Sequence, residues 1–328
     1  MTRFSLHIVQ PRAWPHARMF VDLARALAYS LRALGHDVAF DPGEGAYVQN
    51  PRPQGRPIIL GANFLPDVPL PENAILFNTE QVPILPGSAP MAVDGQAMDS
   101  WMQSDYLRLL RRHVVWDYSA ENIRRLKRLG VERVHHCRIG YSPALERLPR
   151  PGTVEEDIDV LFYGSMSPRR LRVLEQLQGM TVREGAGERP IIVAGISCVY
   201  GADLDRVLGR AKVVVNIHMN DAGVAPRIFE MVRVSYLLAN HKCVVSEDGG
   251  EDEELEAFAR QAVVVAPYEN LAEVCRAATG AVPSSLATMR ANPTVTTAAI
   301  WETAEVGRSM LRKIDQAEEV RRALGETQ

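Results

Sequence analysis

The chain has 328 residues, of which 46% are hydrophobic and 23% charged, and its formal net charge is −3 at pH 7. This length predicts about two domains, and the average composition excludes disordered and collagen-like proteins. The slightly negative charge argues against a general nucleic-acid or anionic-membrane binder.

The four cysteines are scattered along the chain and form no C-x-x-C pair. That spacing excludes a disulfide scaffold and a zinc ribbon, and it favours a reducing cytosol. No apolar run approaches the ~20 residues of a membrane-spanning helix, and the N-terminal residues show no secretion signal. We therefore expect a cytoplasmic protein without a transmembrane segment.

The first half of the chain alternates predicted strands and helices. Short apolar runs predict strands at 4–10, 37–40, 57–60, 74–78 and 114–117. A periodic apolar segment predicts a helix at 20–34 that ends at Gly35, and a basic helix follows at 120–129, closed by Gly130. Strands that alternate with helices need crossover connections, which favour a mostly parallel, doubly wound sheet.

Around residues 142–156 the chain becomes rich in proline and charge, which predicts an interdomain linker. We place the first domain at 1–148 and the second at 149–328, both of the α/β class. Apolar runs in the second domain predict strands at 159–163, 191–194, 213–217, 244–245 and 263–265. Helices are expected at 168–178, at 203–209 with Asp203 as its N-cap, from Pro226 to Ala239, after Asn270 and after Thr294.

The turn after the strand at 159–163 combines a glycine with a basic helix start. Gly164 and Ser165 lead into a helix whose first turn carries Arg169 and Arg170. The free N–H groups of a helix N-terminus favour an anion, glycine allows close backbone approach, and arginine adds an always-charged, bidentate donor. This pattern fits a phosphate site, and an ordinary capped turn is the alternative.

Polar residues also cluster after the strand at 213–217, where ligands of open α/β sheets bind. They include His218 and Asn220, followed by Arg227 and Glu230 near the start of the next predicted helix. A carboxylate there can accept two hydrogen bonds from a ribose diol, and an arginine can meet the attached diphosphate. The alternative is an ion pair three residues apart on a solvated helix face, but the apolar neighbours argue against it.

These segments resemble glycosyltransferases of the GT-B fold, and more narrowly the spore-coat-type and group-one glycosyl transferase-like families. The resemblance rests on Phe-Tyr-Gly-Ser at 162–165, Asn-Ile-His at 216–218, Pro-Arg-Ile-Phe-Glu at 226–230 and Cys-Val-Val-Ser-Glu at 243–247. It implies two Rossmann-like domains that face a cleft, with the acceptor on the first domain and a nucleotide-sugar site on the second. The last helix is then expected to pack back on the first domain.

In such enzymes the glutamate of the Arg-x-Phe-type segment holds the ribose, which would be Glu230. The resemblance places Arg227, with Arg169 or Arg170, towards the phosphates. The chain departs from the better-known pattern of two glutamates seven residues apart, because Gly223 stands at the first position. Retention of the anomeric configuration is favoured by the resemblance alone.

Two residues of the first domain are candidates for the acceptor side. Glu80 follows the strand at 74–78, and His16 follows the first strand, so that both would face the cleft. Glu80 can position an acceptor hydroxyl, or act as a general base if burial raises its pKa towards neutrality. A loop carboxylate that caps a turn and a structural histidine are the alternatives.

No metal and no bound cofactor are expected, apart from the nucleotide sugar as co-substrate. The acidic run at 247–254 lacks the spaced oxygen ligands of a calcium loop and is typical of a helix N-terminus. Asp203 and Asp205 resemble a metal-binding D-x-D pair, but they lie at a predicted helix start, where aspartate caps. The glycine-rich patterns of ATPases and nicotinamide enzymes are absent from the sequence.

The leading hypothesis is therefore a metal-independent transferase that moves a sugar from a nucleotide sugar to a hydroxyl acceptor. The acceptor stays open between a glycan, a lipid-linked group, a protein and a small molecule. A sugar-nucleotide epimerase and a non-catalytic nucleotide-sugar binding protein of the same fold are the alternatives. No nucleic-acid partner is expected.

Overall fold

Strands and helices alternate through both halves of the chain. The computed structural model describes residues 1–11, 15–41, 47–48, 51, 53–65, 70–82, 92–93, 96–97, 105–150, 153–184, 186–221, 227–280 and 297–326. The elements of the first half are β1 (Arg3–Val9), α1 (Val21–Ala33), β2 (Asp37–Ala39), β3 (Tyr47–Val48), β4 (Arg56–Leu60), β5 (Ile75–Asn78), β6 (Ala92–Val93), β7 (Gln96–Ala97), α2 (Asp105–Arg112), β8 (Val114–Asp117), α3 (Ala120–Arg128) and β9 (Val134–His136). Those of the second half are β10 (Ile158–Tyr163), α4 (Pro168–Gln178), β11 (Thr181–Glu184), β12 (Gly187–Pro190), β13 (Val193–Ile196), α5 (Gly201–Arg210), β14 (Ala211–Asn216), α6 (Met231–Ala239), β15 (Cys243–Glu247), α7 (Glu253–Ala262), β16 (Val264–Ala266), α8 (Leu271–Gly280), α9 (Thr297–Arg312) and α10 (Gln316–Leu324).

The first half forms a parallel sheet in the order β2–β1–β4–β5–β8–β9, with β3 beside β1 on the same side as β2. The apolar residues of β4 and β5 are buried on both faces, as expected for a parallel sheet covered by helices. Leu23, Leu27 and Leu31 of α1 pack against β1, and the helix ends where Gly35 adopts a φ of +84°. The predicted strands and helices of this half are confirmed to within one residue at each end.

The second half forms a parallel sheet in the order β13–β10–β14–β15–β16. The strand predicted at 191–194 lies two residues later, at Val193–Ile196. The short hairpin of β11 and β12, which the sequence did not predict, lies outside this sheet. Both halves therefore have the doubly wound, Rossmann-like architecture that the alternating pattern predicts.

One predicted helix starts later than expected. The helix predicted at 226–239 begins at Met231, and Pro226 lies outside the described residues. Ile228 and Phe229 are buried in the core ahead of this helix. The carbonyl of Ile228 accepts a hydrogen bond from Gln81 Nε2 of the first half (3.5 Å) instead of from a helical N–H. The segment before α6 thus contacts the first half.

The expected capping role of Asp203 is also wrong. Helix α5 begins at Gly201, and Tyr200 precedes it without a side-chain capping bond. Asp203 lies inside the first turn, where it is exposed and pairs with Arg206 (2.6 Å). Its negative charge near the helix N-terminus is favourable without a capping bond.

The end of the chain returns to the first half. In α10, Gln316 Nε2 donates to the carbonyl of Arg138 (3.0 Å), and Gln316 Oε1 accepts from the backbone N–H of Gly140 (2.8 Å). Glu319 of the same helix pairs with Arg138 (2.7 Å). The boundary predicted between residues 148 and 149 lies between β9 and β10, and the division into two domains stays a prediction.

The two sheets meet along the carboxyl ends of their strands. Besides the contact of Gln81, Ser119 Oγ after β8 donates to Asp252 Oδ2 after β15 (2.5 Å), and His16 Nδ1 lies 2.7 Å from the Tyr200 hydroxyl. Residues that follow the strands of both sheets therefore contact one another at the edge where ligands of α/β proteins bind. Within the part of the chain that the structure describes, no helix is long and apolar enough to span a membrane.

Candidate active site

The first predicted site segment lies where β10 ends. Gly164 adopts a φ of +137°, and a Cβ there would come within 2.9 Å of Arg233 Nη2. Glycine is therefore required by the backbone conformation and by the space available. Ser167 caps α4, because its Oγ accepts a hydrogen bond from the backbone N–H of Arg170 (3.3 Å). The predicted turn and helix start are thus present, and phosphate binding there stays a prediction.

Arg169 is buried, and its guanidinium group is bonded to protein oxygens. It makes a bidentate pair with Glu247 (2.5 and 2.6 Å), and its Nε donates to Asp221 Oδ1 (2.6 Å). The guanidinium also lies over the ring of Tyr268, 3.7 Å from the ring centroid. These contacts fix Arg169 inside the site, so its predicted contact with a phosphate would compete with them.

Arg170 is buried in the same place and is also held by carbonyl groups. It donates to the carbonyl of Ile217 (2.7 and 3.0 Å) and to the carbonyl of Ser165 (2.8 Å). Burial lowers the pKa of Arg170 to about 10, so the side chain still carries its charge at neutral pH. Gly164, Ser165 and Arg170 are thus brought together, and their contact with a phosphate stays a prediction.

Sequence reasoning gave Glu247 no role in the site, although Glu247 ends the Cys-Val-Val-Ser-Glu segment and begins the acidic run. Glu247 is the last residue of β15, and 2% of it is exposed. Its carboxylate accepts two hydrogen bonds from Arg169, one from Arg227 Nη1 (2.8 Å) and one from the backbone N–H of His218 (3.0 Å). Of the acidic run, Asp252 is the residue that caps α7.

Glu230 pairs with two arginines, and Arg227 is not one of them. Its carboxylate lies 3.1 Å from Arg233 Nη2 and 3.5 Å from Arg170 Nη2. Burial alone would raise the pKa of Glu230, but the charges of Arg233 and Arg170 outweigh burial and hold the pKa below its ordinary value. The alternative of an ion pair between Arg227 and Glu230 on a solvated helix is therefore wrong. Arg233, which sequence reasoning missed, also donates to Asn216 Oδ1 (3.1 Å).

Arg227 is the most exposed of the four arginines in this site. Its side chain is 13% exposed, against 4% to 11% for the other three. Its Nη1 binds the Oε1 atom of Glu247 that also accepts from Arg169, so the two arginines that were predicted to approach one place do meet there. We call Arg169, Arg170, Arg227 and Arg233, with Glu230 and Glu247, the arginine cluster.

His218 and Asn220 follow β14 at the same edge. His218 is buried, burial lowers its pKa, and its Nε2 has no hydrogen-bond partner among the described residues. Asn220 lies two residues further on and is half-buried. An unpartnered polar atom inside a protein is costly, so His218 Nε2 is available to a ligand or a water molecule.

Glu80 belongs to the first half of the chain and lies in a loop after β5. Buried side chains hold this loop in place. Asn78 Nδ2 donates to the carbonyl of Glu80 (3.0 Å) and to Asp117 Oδ2 (2.6 Å). Asn122 Nδ2 donates to the same carbonyl (3.0 Å), and Asn63 Nδ2 donates to Glu80 Oε1 (3.2 Å). The loop is thus fixed between the carboxyl ends of β5 and β8.

Two carboxyl groups of this loop network titrate near neutral pH. Burial raises the pKa of Glu80 to about 7 and that of Asp117 to about 7. Burial also raises the pKa of the Tyr118 hydroxyl, and the charges of both Glu80 and Glu230 add to that effect.

His16 contacts the second half directly. Besides the contact of Nδ1 with Tyr200, His16 Nε2 lies 3.8 Å from the thiol of Cys198. His16 thus contacts the loop before α5, and its role on the acceptor side stays a prediction.

The carboxylates considered for a metal have other partners. Asp205 accepts from the Tyr236 hydroxyl (2.5 Å) and pairs with Arg147 (3.3 Å), whereas Asp203 points to Arg206. Among the described residues, no group of three or more His, Cys, Asp or Glu side chains could hold a metal ion.

Comparison with known proteins places this architecture. The sequence matches no protein-family model. It is 26% identical over 203 residues to the uncharacterized protein L140 of Acanthamoeba polyphaga mimivirus, a match that covers 61% of this chain and 57% of the viral protein. The chain therefore spans little more than half the length of that curated relative.

Two solved structures resemble the chain over nearly its whole length. One is AviGT4, a glycosyltransferase involved in avilamycin A biosynthesis, with 15% identity, a TM-score of 0.53, and coverage of 99% of this chain and 98% of AviGT4. The other is Anabaena Alr3699/HepE in complex with UDP and glucose, with 11% identity, a TM-score of 0.54 and the same coverage. The protein has the GT-B fold, as the resemblance in the sequence implied.

Proposed function

We propose that the protein is a glycosyltransferase that moves a sugar from a nucleotide sugar to a hydroxyl acceptor. The observation that carries this proposal is the arginine cluster at the carboxyl edge of the second sheet, opposite a loop whose carboxylate titrates near pH 7. The fold adds support, because AviGT4 is a glycosyltransferase and HepE was solved with UDP and glucose.

The charge of the arginine cluster suits a diphosphate. Four guanidinium groups face the buried Glu247 and the half-buried Glu230, which leaves an excess of two positive charges before the exposed Asp221 is counted. A nucleoside diphosphate would supply the missing negative charge. When the bond between the sugar and the phosphate breaks, the cluster stabilises the charge that develops on the leaving group without reorganisation. We therefore propose that transfer needs no metal ion.

Glu230 has the properties of a ribose ligand. Its carboxylate is ionised because Arg233 and Arg170 lower its pKa, and 21% of the side chain is still exposed. An ionised carboxylate can accept both hydrogen bonds of a vicinal diol. Gly164, Ser165, His218 and Asn220 lie at the same edge and would line the rest of the donor site.

We assign the acceptor to the first half. The pKa of Glu80, about 7, suits a group that takes a proton from an acceptor hydroxyl at neutral pH. His16 lies at the same cleft and is the second candidate on this side. The family resemblance favours retention of configuration, in which case Glu80 would hold the hydroxyl. If NMR of the first product shows inversion, Glu80 is instead the general base.

The proposal is tested first by binding. A thermal-shift panel of UDP, GDP, dTDP, ADP and CMP is expected to show stabilisation by at least one nucleotide. A ligand at 100 times its Kd adds ~2.7 kcal/mol to the stability of its domain, which raises the Tm of a domain of this size by several degrees. No stabilisation by any of them would contradict the proposal.

Turnover then separates the proposal from its alternatives. Release of the nucleotide that depends on an acceptor indicates a transferase, and inversion of a sugar centre without an acceptor indicates an epimerase. Binding without either reaction indicates a non-catalytic protein.

The cytoplasmic location predicted from four unpaired cysteines also remains a proposal.

A further inference from the structure

Arg227 contacts one short segment, residues 247–251, through both its side chain and its backbone. Nη1 donates to Glu247 (2.8 Å), Nη2 occupies the space that a Cβ on Gly249 would need, and the backbone carbonyl of Arg227 accepts a hydrogen bond from the N–H of Glu251 (2.8 Å). Arg227 therefore owes both its backbone and its side-chain position to residues 247–251.

Gly249 is required at its place for two separate reasons. Its φ is +85°, a conformation that side chains rarely adopt. A Cβ built on Gly249 would also overlap Arg227 Nη2. Because a guanidinium group ends a flexible side chain, the lowest-energy response to such a Cβ is displacement of Arg227 rather than of the backbone.

Arg227 also differs from the other arginines of the cluster in how many of its guanidinium nitrogens are hydrogen-bonded. Arg169 and Arg170 use several nitrogens on protein oxygens, whereas Nη1 alone of Arg227 is hydrogen-bonded to the described residues. Glu247 is shared with Arg169, so its carboxylate does not neutralise Arg227 alone. Arg227 thus carries uncommitted donors in a fixed orientation.

We propose that Glu247 and Gly249 are positioning residues, which hold Arg227 in place for the diphosphate of the donor. This inference rests on the proposed function, because it takes the nucleoside diphosphate as the ligand. Glu247 fixes one edge of the guanidinium by charge and hydrogen bonding. The absence of a side chain at Gly249 leaves room for Nη2. A donor fixed before the ligand arrives binds and stabilises charge better than one that must be ordered by the ligand.

The test is Gly249→Ala, with Gly35→Ala as a matched control. Gly35 has nearly the same φ, +84°, but a Cβ there meets no atom within 4 Å. Both variants carry the same backbone strain, and Gly249→Ala alone displaces Arg227. Thermal denaturation of both variants measures the shared loss of stability.

Each variant is titrated calorimetrically with UDP, GDP, dTDP and ADP and with the corresponding nucleosides. Gly249→Ala is expected to weaken binding of the diphosphate by ~10-fold or more, the size of a hydrogen bond to a charged group, and to leave nucleoside binding unchanged. Gly35→Ala is expected to match the wild type for both. In an Arg227→Ala background, Gly249→Ala is expected to cause no further loss, because it acts through Arg227.

The outcomes separate this inference from the proposed function. The positioning role is wrong, and the proposed function stands, if the wild type binds a diphosphate and Gly249→Ala binds it equally well. The same conclusion follows if Gly249→Ala weakens diphosphate binding as much in the Arg227→Ala background as in the wild type. If the wild type binds none of the four diphosphates, the inference fails, and if CMP does not bind either, the proposed function fails with it.

Discussion

Replacement of Glu80 by glutamine tests the acceptor side. The expected change in stability follows from the pKa of Glu80. Burial raises the pKa of Glu80 from 4.5 to about 7, which corresponds to ~3 kcal/mol of unfavourable charge burial once the group is ionised. The side chain is partly exposed, and solvent screening reduces this figure to ~1–2 kcal/mol. Asn63 can still donate to the amide oxygen of the glutamine, so the loop keeps its contact.

The sign of the effect is set by the direction of the pKa. The folded state binds the Glu80 proton more tightly than the unfolded chain does, so the protonated side chain contributes to the free energy of unfolding. This contribution is complete below pH 4.5 and is lost as the pH rises through about 7. Glutamine does not ionise, so Glu80→Gln is expected to be more stable than the wild type at pH 8 by ~1–2 kcal/mol. At pH 4.5 the two proteins should differ little. Asp117, which has a similar pKa, contributes equally to both proteins and cancels in the comparison.

Whereas Glu80→Gln is expected to be more stable than the wild type at pH 8, it is expected to be less active. If the Glu80 carboxylate receives the acceptor proton, kcat/KM of the wild type falls as the pH drops below about 7, and Glu80→Gln has low activity without that inflection. Glu72→Gln, at an exposed position before β5, is the matched control and should change neither profile. Wild-type activity in Glu80→Gln, or a Tm at pH 8 no higher than that of the wild type, would refute the reasoning.

Two further predictions concern the leaving group. Arg227→Ala is expected to lower kcat by ~100-fold or more with a smaller change in the donor KM, and Arg227→Lys should recover only part of this loss because an ammonium group lacks the planar fork; near-normal kcat in Arg227→Ala would remove the residue from the mechanism. Transfer is expected to persist in EDTA, because the excess positive charge of the arginine cluster can neutralise the diphosphate. Loss of activity in EDTA that magnesium or manganese restores would contradict this prediction.

The fold was predictable because its signals are local. The periodic leucines of α1, the glycine that ends it and the turn from β10 through Gly164 into α4 each depend on a few neighbouring residues. The sequence therefore indicated the alternating elements and the edge of the sheet where the site lies. The later start of α6 could not be predicted, because the buried Ile228 and Phe229 ahead of it follow the apolar pattern of the helix, and the contact of the Ile228 carbonyl with Gln81 joins distant segments.

The site residues that sequence reasoning missed act through contacts between distant segments. Glu247 ends β15, yet its partners come from α4 and from the loops after β14 and before α6. The available signal was a carboxylate at the end of an apolar strand, and it was read together with the acidic residues that follow. The raised pKa of Glu80 depends on its buried surroundings, to which Asp117 and Asn122 contribute more than thirty residues along the chain, so the sequence could indicate the candidate but not its burial.

The most direct test of a nucleotide site at the arginine cluster is a calorimetric titration of the wild type and Glu230→Ala. The titrant is the nucleotide that gives the largest thermal shift, and Glu175→Ala, exposed on α4, is the control. Glu230→Ala is expected to stay folded and to bind ~1.5–3 kcal/mol more weakly, the size of hydrogen bonds to a charged group, while Glu175→Ala binds like the wild type. Equal affinity of a folded Glu230→Ala and the wild type would contradict the assignment of this cluster as the nucleotide-sugar site.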